Sequence, residues 1–309
     1  MSSHSNAMPE SFPTHPAAPA QLSPAQLLYW SVRRELWEFR SLYLAPLGVG
    51  CLFLVGFLIS LFRLPSRMEA LSGLDPAKQH HAIVLHYHIA AGLMMVTAMI
   101  VGTFYCLDAL YGERRDRSIL FWKSLPVSDT ITVMSKACIP LLVLPLLTFT
   151  ITVGLQWTML LLSTLVLIGK SASIALLWTQ LSFVQMSFLL LYHLMTVHAI
   201  WPAPLYAWLL LISAWARRAP FLWATLPIVA IAFMEKMVFN TTHFVTMLMN
   251  RLTGSGMEAV TAPGTFPMDP VTHTTFGRYL LSPGLWIGLA FTAAFLAAAV
   301  RLRRDREPI

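Results

Sequence analysis

The sequence predicts an all-α, polytopic membrane protein with six transmembrane helices, an N-terminal interfacial helix and a short cytoplasmic helix between the second and third spans. Three observations carry that expectation. The composition is 57% hydrophobic and only 11% charged, with a mean hydropathy of +0.65, whereas a soluble domain carries roughly 25% charged residues. The apolar residues are gathered into runs long enough to cross about 30 Å of hydrocarbon, which takes about 20 helical residues. Lys and Arg are confined to short segments beside those runs, where topology selection places them.

Taken in order, residues 1–23 are rich in Ser, Pro, Ala and His and contain no apolar run. They read as a disordered tail rather than a cleavable signal peptide. Residues 24–309 form one transmembrane domain. From Ala25 to Arg40, Trp30 and Trp37 alternate with Arg33, Arg34, Glu35 and Glu38. This pattern suits a helix lying in the headgroup plane, aromatic rings toward the acyl chains and charges toward water. Ser41 to Phe62 is the first span, with Gly48, Gly50 and Gly56 offering close helix approach. Ala82 to Tyr111 is the second and Ala137 to Ile168 the third.

The region that follows is apolar almost throughout. Arg217 and Arg218 resemble Arg114, Arg115 and Arg117 in being flanking cations, so an even number of crossings should separate the two groups. The fourth span is therefore expected over Leu189 to Trp215, kinked near Pro202 and Pro204, with Ser171 to Phe188 as a surface or partly inserted helix on the far side. Phe221 to Val238 is the fifth span, residues 239–279 form a long external loop, and Leu280 to Val300 is the sixth span. With this map the larger share of Lys and Arg lies on the side that holds both termini. That predicts a multi-pass protein of a bacterial-type inner membrane with both termini cytoplasmic.

Several chemistries lack their signature. Gly169-Lys170-Ser171 is the nearest approach to a phosphate loop, but Thr164 stands where the first glycine belongs. Neither His-Glu-x-x-His nor Gly-x-Ser-x-Gly occurs, so no catalytic residue is assigned and no cofactor is expected on this chain. The net charge of +7 is explained by loop cations, without nucleic acid. Cys51, Cys106 and Cys138 all fall in apolar runs and read as core residues. Of the histidines near the outer mouth of the second span, His81 and His88 could share a helix face and are the metal candidates. His86 and His88 lie about 200° apart around a helix and do not converge. Asp108, His193 and His198 are candidate polar groups of a pathway, or buried anchors, within the spans.

The segment Gly112 to Ser128 holds the densest charge in the chain. It reads as a short helix from about Glu113 to Ser124, a Leu125-Pro126 break, and then Ser128 and Asp129 capping the helix that enters the third span. Glu113, Arg114, Arg115, Asp116 and Arg117 supply charge; Ile119, Leu120, Phe121 and Trp122 supply apolar area.

This ordered run of an acidic-basic start, Ser118, an apolar quartet and Ser124-Leu125-Pro126-Val127-Ser128 resembles the permease subunits of the type 2 ABC exporter family. The likeness extends weakly to the interfacial helix, the six spans and the large external loop. It implies that the loop is a coupling helix seated in a separate ATP-binding-cassette ATPase subunit, contacted through Glu113, Arg114, Arg117, Ser118, Leu120, Phe121, Leu125 and Pro126. It further implies ATP and Mg in that partner and a second permease copy or paralogue in the bilayer. The other classes the residues allow are a non-transporting membrane scaffold or sensor, and an intramembrane enzyme built on Asp108, His193 and His198.

Overall fold

The computed structural model describes residues 23–71, 73–120, 127–169, 171–254 and 276–305. Within them the chain is helical, without strands. Six helices are long and apolar enough to cross a membrane: Ser41–Leu61, Pro76–Arg115, Asp129–Val166, Ser173–Ile200, Pro220–Phe239 and Pro283–Asp305. The protein is thus a multi-pass helical membrane protein.

The first helix, α1, runs Pro24–Glu38. Ser23 starts it, its hydroxyl accepting from the Gln26 amide while the Gln26 side chain accepts from the Ser23 amide, a reciprocal cap that satisfies two otherwise open donors. Tyr29, Trp30 and Trp37 are exposed on it, and Arg33 lies 5.2 Å from the centre of the Trp30 ring. Helix α2 (Ser41–Leu61) follows after a two-residue turn, and α3 (Leu64–Leu71) packs beside its end. Helix α4 (Pro76–Ala109) continues almost directly into the short α5 (Tyr111–Arg115). Helix α6 (Asp129–Cys138) passes through a π-helical segment, Ile139–Val143, into α7 (Leu144–Val166). Pro140 sits in that segment and cannot donate to the ladder, which accounts for the widened turn.

The fourth crossing, expected over Leu189 to Trp215 with a kink near Pro202 and Pro204, is broken just before those prolines, and the span-length helix lies earlier, at Ser173–Ile200. After α8 (Ser171–Gln180), α9 starts already at Phe183 and runs to Met195; a π segment follows at Thr196–Ile200, and α10 begins only at Ala203 and ends at Trp215. The Trp201 amide reaches back to the Thr196 carbonyl, and Pro202 has no amide to extend the ladder. Helix α11 (Pro220–Phe239) is entered through Ala219 and left through Asn240, both in the left-handed region at φ 48° and 51°. Amphipathic α12 (His243–Thr253), α13 (Phe276–Leu281) and α14 (Pro283–Asp305) are the last helices among the described residues.

Helix α10 packs against α14 and α4, and α2 against α4 and α7. Two apolar clusters mark opposite ends of the bundle. One joins Phe57 and Leu61 of α2, Met68 of α3, Ile83 and Tyr87 of α4, Met159 of α7 and Leu177 of α8. The other joins Leu42, Tyr105, Ala137, Ile139 and Tyr206, with Val32 and Leu36 of α1 packed on it. Beside the second cluster lies the charged segment.

Candidate functional site: a buried charge cluster beneath the charged loop

The charged segment is not one helix from Glu113 onward. Helix α5 stops at Arg115, Arg117 takes φ 58°, and helical backbone resumes at 118–120. The left-handed residue costs a non-glycine side chain on the order of 1 kcal/mol. It separates α5, which carries the buried Glu113 and Arg114, from the turn that follows. The Ser118 hydroxyl donates to the Glu113 carbonyl at 3.4 Å and the Leu120 amide to the Arg117 carbonyl at 3.2 Å. Ile119 is 1% exposed and Leu120 58% exposed, so this turn has a buried side and an open side. Phe121, Trp122, Ser124, Leu125 and Pro126 lie outside the described residues. The chain is described again from Val127, and Ser128 is the N-cap of α6, its hydroxyl accepting from the Ile131 amide at 3.2 Å.

Of the residues the sequence singles out on this segment, Glu113 and Arg114 are buried within the chain, whereas Arg117 and Leu120 are on its surface. The two inward residues do different work. Arg114 extends to the end of α10, donating to the carbonyls of Ser213 at 2.8 Å and Ala216 at 2.6 Å. These carbonyls belong to the last turn of that helix, where no amide partners remain and positive charge is favoured. The Ser213 hydroxyl in turn accepts from the amides of Leu110 and Tyr111, at 3.0 and 2.9 Å. The junction between α4 and α5 is thereby locked to α10.

Glu113 joins a network that the sequence reading did not assemble. One carboxylate oxygen lies 3.1 Å from Lys136 Nζ and 3.4 Å from an Arg34 nitrogen; the other accepts from Arg303. Lys136 also meets Glu35 at 2.9 Å. Glu35 accepts from Arg34 at 2.6 Å, and its second oxygen accepts from the Tyr105 hydroxyl at 2.8 Å. Arg303 completes the set by donating from Nε to Asp129 at 3.0 Å. Glu35 and Lys136 are 0% exposed and Glu113 is 4% exposed.

Arg34, Lys136 and Arg303 balance Glu35, Glu113 and Asp129, so this core of the cluster carries no formal net charge, with exposed Glu38 3.9 Å from Arg34 at its edge. That balance is what permits burial, since an isolated buried ion is very costly. At the edge of the cluster, burial works against the Arg34 charge but Glu35 and Glu113 outweigh it, and the guanidinium pKa is raised. Glu38, one turn further on, is raised by burial and by the Glu35 charge, partly countered by Lys136 and Arg34.

The network stitches together α1, the α4 to α5 junction, α6 and α14. Glu113 is the member that comes from the charged loop itself. In the sequence Arg34 and Glu35 belong to the segment expected in the headgroup plane, Lys136 directly precedes the third apolar run, and Arg303 follows the sixth. One local signal was available: Asp129 and Lys136 are spaced to lie on one face of a helix. A lysine directly preceding Ala137-Cys138-Ile139 would be buried with that face and require a counter-ion.

The other candidates stay apart from this cluster. Asp108 is half-buried beside Gly112; Arg115 pairs with Asp116 at 3.0 Å rather than with it. His193 and His198 lie on α9 and the π segment. The His193 ring contacts the Leu189 carbonyl at 3.2 Å, and the His198 backbone carbonyl accepts from the Tyr206 hydroxyl at 3.4 Å. His81 is exposed and His88 buried, and among the described residues no three His, Cys, Asp or Glu side chains gather as a metal site. Cys51, Cys106 and Cys138 are free thiols. Compared with family models, curated proteins and solved structures, the chain finds no match.

Proposed function

We propose that this chain is the membrane-spanning permease subunit of an ATP-binding-cassette transporter of the type 2 exporter kind, with its charged end in the cytoplasm. The carrying observation is the construction of residues 112–120 of the charged segment. It has an outward face at Arg117 and Leu120 and an inward face at Glu113 and Arg114, which are bonded to elements far away in sequence. Such a segment can receive force from a soluble partner and pass it to the spans.

On this reading Arg117, Ser118 and Leu120, with Phe121, Leu125 and Pro126 beyond them, form the surface seated in a separate ATPase subunit. That subunit binds ATP and Mg and does all the hydrolysis; this chain has no catalytic residue and no cofactor of its own. Glu113 and Arg114 act one layer deeper. Displacement of the loop pulls on α1, α6 and α14 through Glu113, and on α10 through Arg114. Alternating inward-open and outward-open arrangements of the spans then follow from two packings of rigid helices. A second permease copy or a paralogue completes the pathway in the inner membrane. Asp108, His193 and His198 remain polar groups within the spans, available to a pathway or to packing.

The test is reconstitution of the chain with a P-loop ATPase subunit, sought among the neighbouring genes. Leu120→Asp and Arg117→Glu should abolish co-purification of the ATPase while the permease itself remains folded. Glu113→Gln should leave association intact and lower transport-coupled hydrolysis. Association and coupled ATPase activity unchanged in all three variants would sink the proposal.

A further inference from the structure

At the end of the bundle opposite the charge cluster, α2, α3, α4, α7 and α8 line a half-open cavity of about 250 Å³. An apolar cavity of about 150 Å³ is enough to take up benzene, so this one has room for a longer group. Its floor is made by Phe57, Leu61, Met68, Ile83 and Leu177, all buried. The rim is different: exposed Arg67 of α3 and half-buried His86 of α4 face each other there, with Arg67 Nη1 3.3 Å from His86 Nε2. Since the guanidinium only donates, the imidazole nitrogen accepts and the ring is neutral. No carboxylate is among the described lining residues, and Arg67 therefore brings an uncompensated positive charge to the mouth of an apolar chamber.

We infer that this cavity is a binding site for a single-chain amphiphile with an anionic headgroup, the alkyl chain filling the chamber and the headgroup paired with Arg67. The site does not depend on the transport reading, because it uses none of the residues of the charged loop. A volume of 250 Å³ corresponds to about eight water-sized volumes of roughly 30 Å³ each, which sets the chain length near eight carbons. Below that length each added methylene should tighten binding about three- to fourfold; above it the gain should stop. Fatty carboxylates and alkyl sulfates share the required chemistry, as does an anionic phospholipid, but two acyl chains exceed the volume.

Titration calorimetry of the full chain in amphipol, with probes below their micellar concentrations, tests the assignment. Hexanoate, octanoate and decanoate should bind saturably, with affinity rising to octanoate and levelling at decanoate. Octyltrimethylammonium should bind at least tenfold more weakly than octanoate. Arg67→Ala, at an exposed position, should weaken octanoate at least fivefold without changing octanol, and Arg67→Lys should restore most of the loss. Absence of saturable octanoate binding, equal affinity for the cationic probe, or an Arg67→Ala variant with unchanged octanoate affinity would each overturn the inference. Displacement of octanoate by dihexanoyl phosphatidylglycerol at lower concentration would overturn the single-chain assignment in favour of a membrane lipid.

Discussion

Replacing Lys136 by Met isolates the electrostatic logic of the charge cluster. Lys136 is fully buried and its nitrogen sits between Glu35 at 2.9 Å and Glu113 at 3.1 Å. The two carboxylate oxygens it bridges are consequently no more than about 6 Å apart. Without the ammonium they repel by about 3 kcal/mol at an effective dielectric constant near 20. Methionine keeps the stem volume, so little is lost from packing. Breaking a buried pair by removing one partner costs about 3–5 kcal/mol. The remaining attraction of Arg34 and Arg303 for the same carboxylates places the expected loss at the lower end, about 3 kcal/mol.

Glu35→Gln in the same background should return much of it, because the variant cluster is again neutral and an amide oxygen remains to accept from Tyr105. The measurement is a double-mutant cycle on reversible unfolding in mixed micelles. The expected coupling between positions 35 and 136 is about 2 kcal/mol, within the range for residues in one network. If Lys136→Met costs under about 0.5 kcal/mol, or if the two substitutions add without coupling, the cluster is not a mutually dependent unit and the reasoning fails.

Other consequences follow from the same geometry. Leu120→Asp, on the open side of the turn, should change unfolding free energy by no more than about 0.5 kcal/mol, so that any loss of ATPase association is a surface effect; a large stability loss would show the side chain is buried. Gly102→Leu should cost about 1–3 kcal/mol by overpacking, since a Cβ at Gly102 would already lie 3.1 Å from Leu144 and 3.4 Å from Tyr206; an unchanged melting temperature would contradict that close approach of α4, α7 and α10. For Glu38 the folded pKa is raised. Its favourable contribution is thus present below the ordinary carboxylate pKa of about 4.3 and is lost as pH rises through the folded value. Glu38→Gln should accordingly raise the melting temperature relative to the parent at pH 7 more than at pH 4, and the reverse order would refute the assignment.

What could be read from the sequence is what depends on local chain length and solvent. Apolar runs near 20 residues have to cross, and five of the six span-capable helices overlap the expected spans closely, whereas the fourth, Ser173–Ile200, begins well before the expected 189–215. The fourth crossing was harder because apolar residues continue through the π segment and Trp201. Hydropathy registers no break there, although Pro202 does. The charge cluster was hidden for another reason. Lys136 meets Glu35 across 101 positions and Arg303 meets Glu113 across 190, separations at which no helical periodicity relates one residue to the other. Each member, seen alone, has an ordinary explanation as a flanking charge. Only the packing of α1 and α14 onto α6 turns six separate charges into one buried unit.

That unit is a poor choice if stability alone is at stake. A matched set of apolar side chains in the same volume would be neutral or more stable, since desolvation of the ions consumes most of their attraction. Ion pairs differ from apolar contacts in having few acceptable arrangements, each with every charge matched. Helices held this way tend to move between discrete positions rather than creep. In a permease driven through the charged loop, that property would make Glu113 a joint whose partners can be exchanged. Lys136 and Arg303 offer it alternatives on two different helices, α6 and α14, while Arg34 offers a third on α1. Arg114 differs in that it holds the two carbonyls ending α10 and so ties the loop to that helix. On this view Glu113→Gln and Arg114→Ala should separate: the first weakening coupling with association intact, the second detaching α10 and lowering stability as well. Identical phenotypes, measured by coupled ATPase activity and unfolding together, would remove the distinction between joint and anchor.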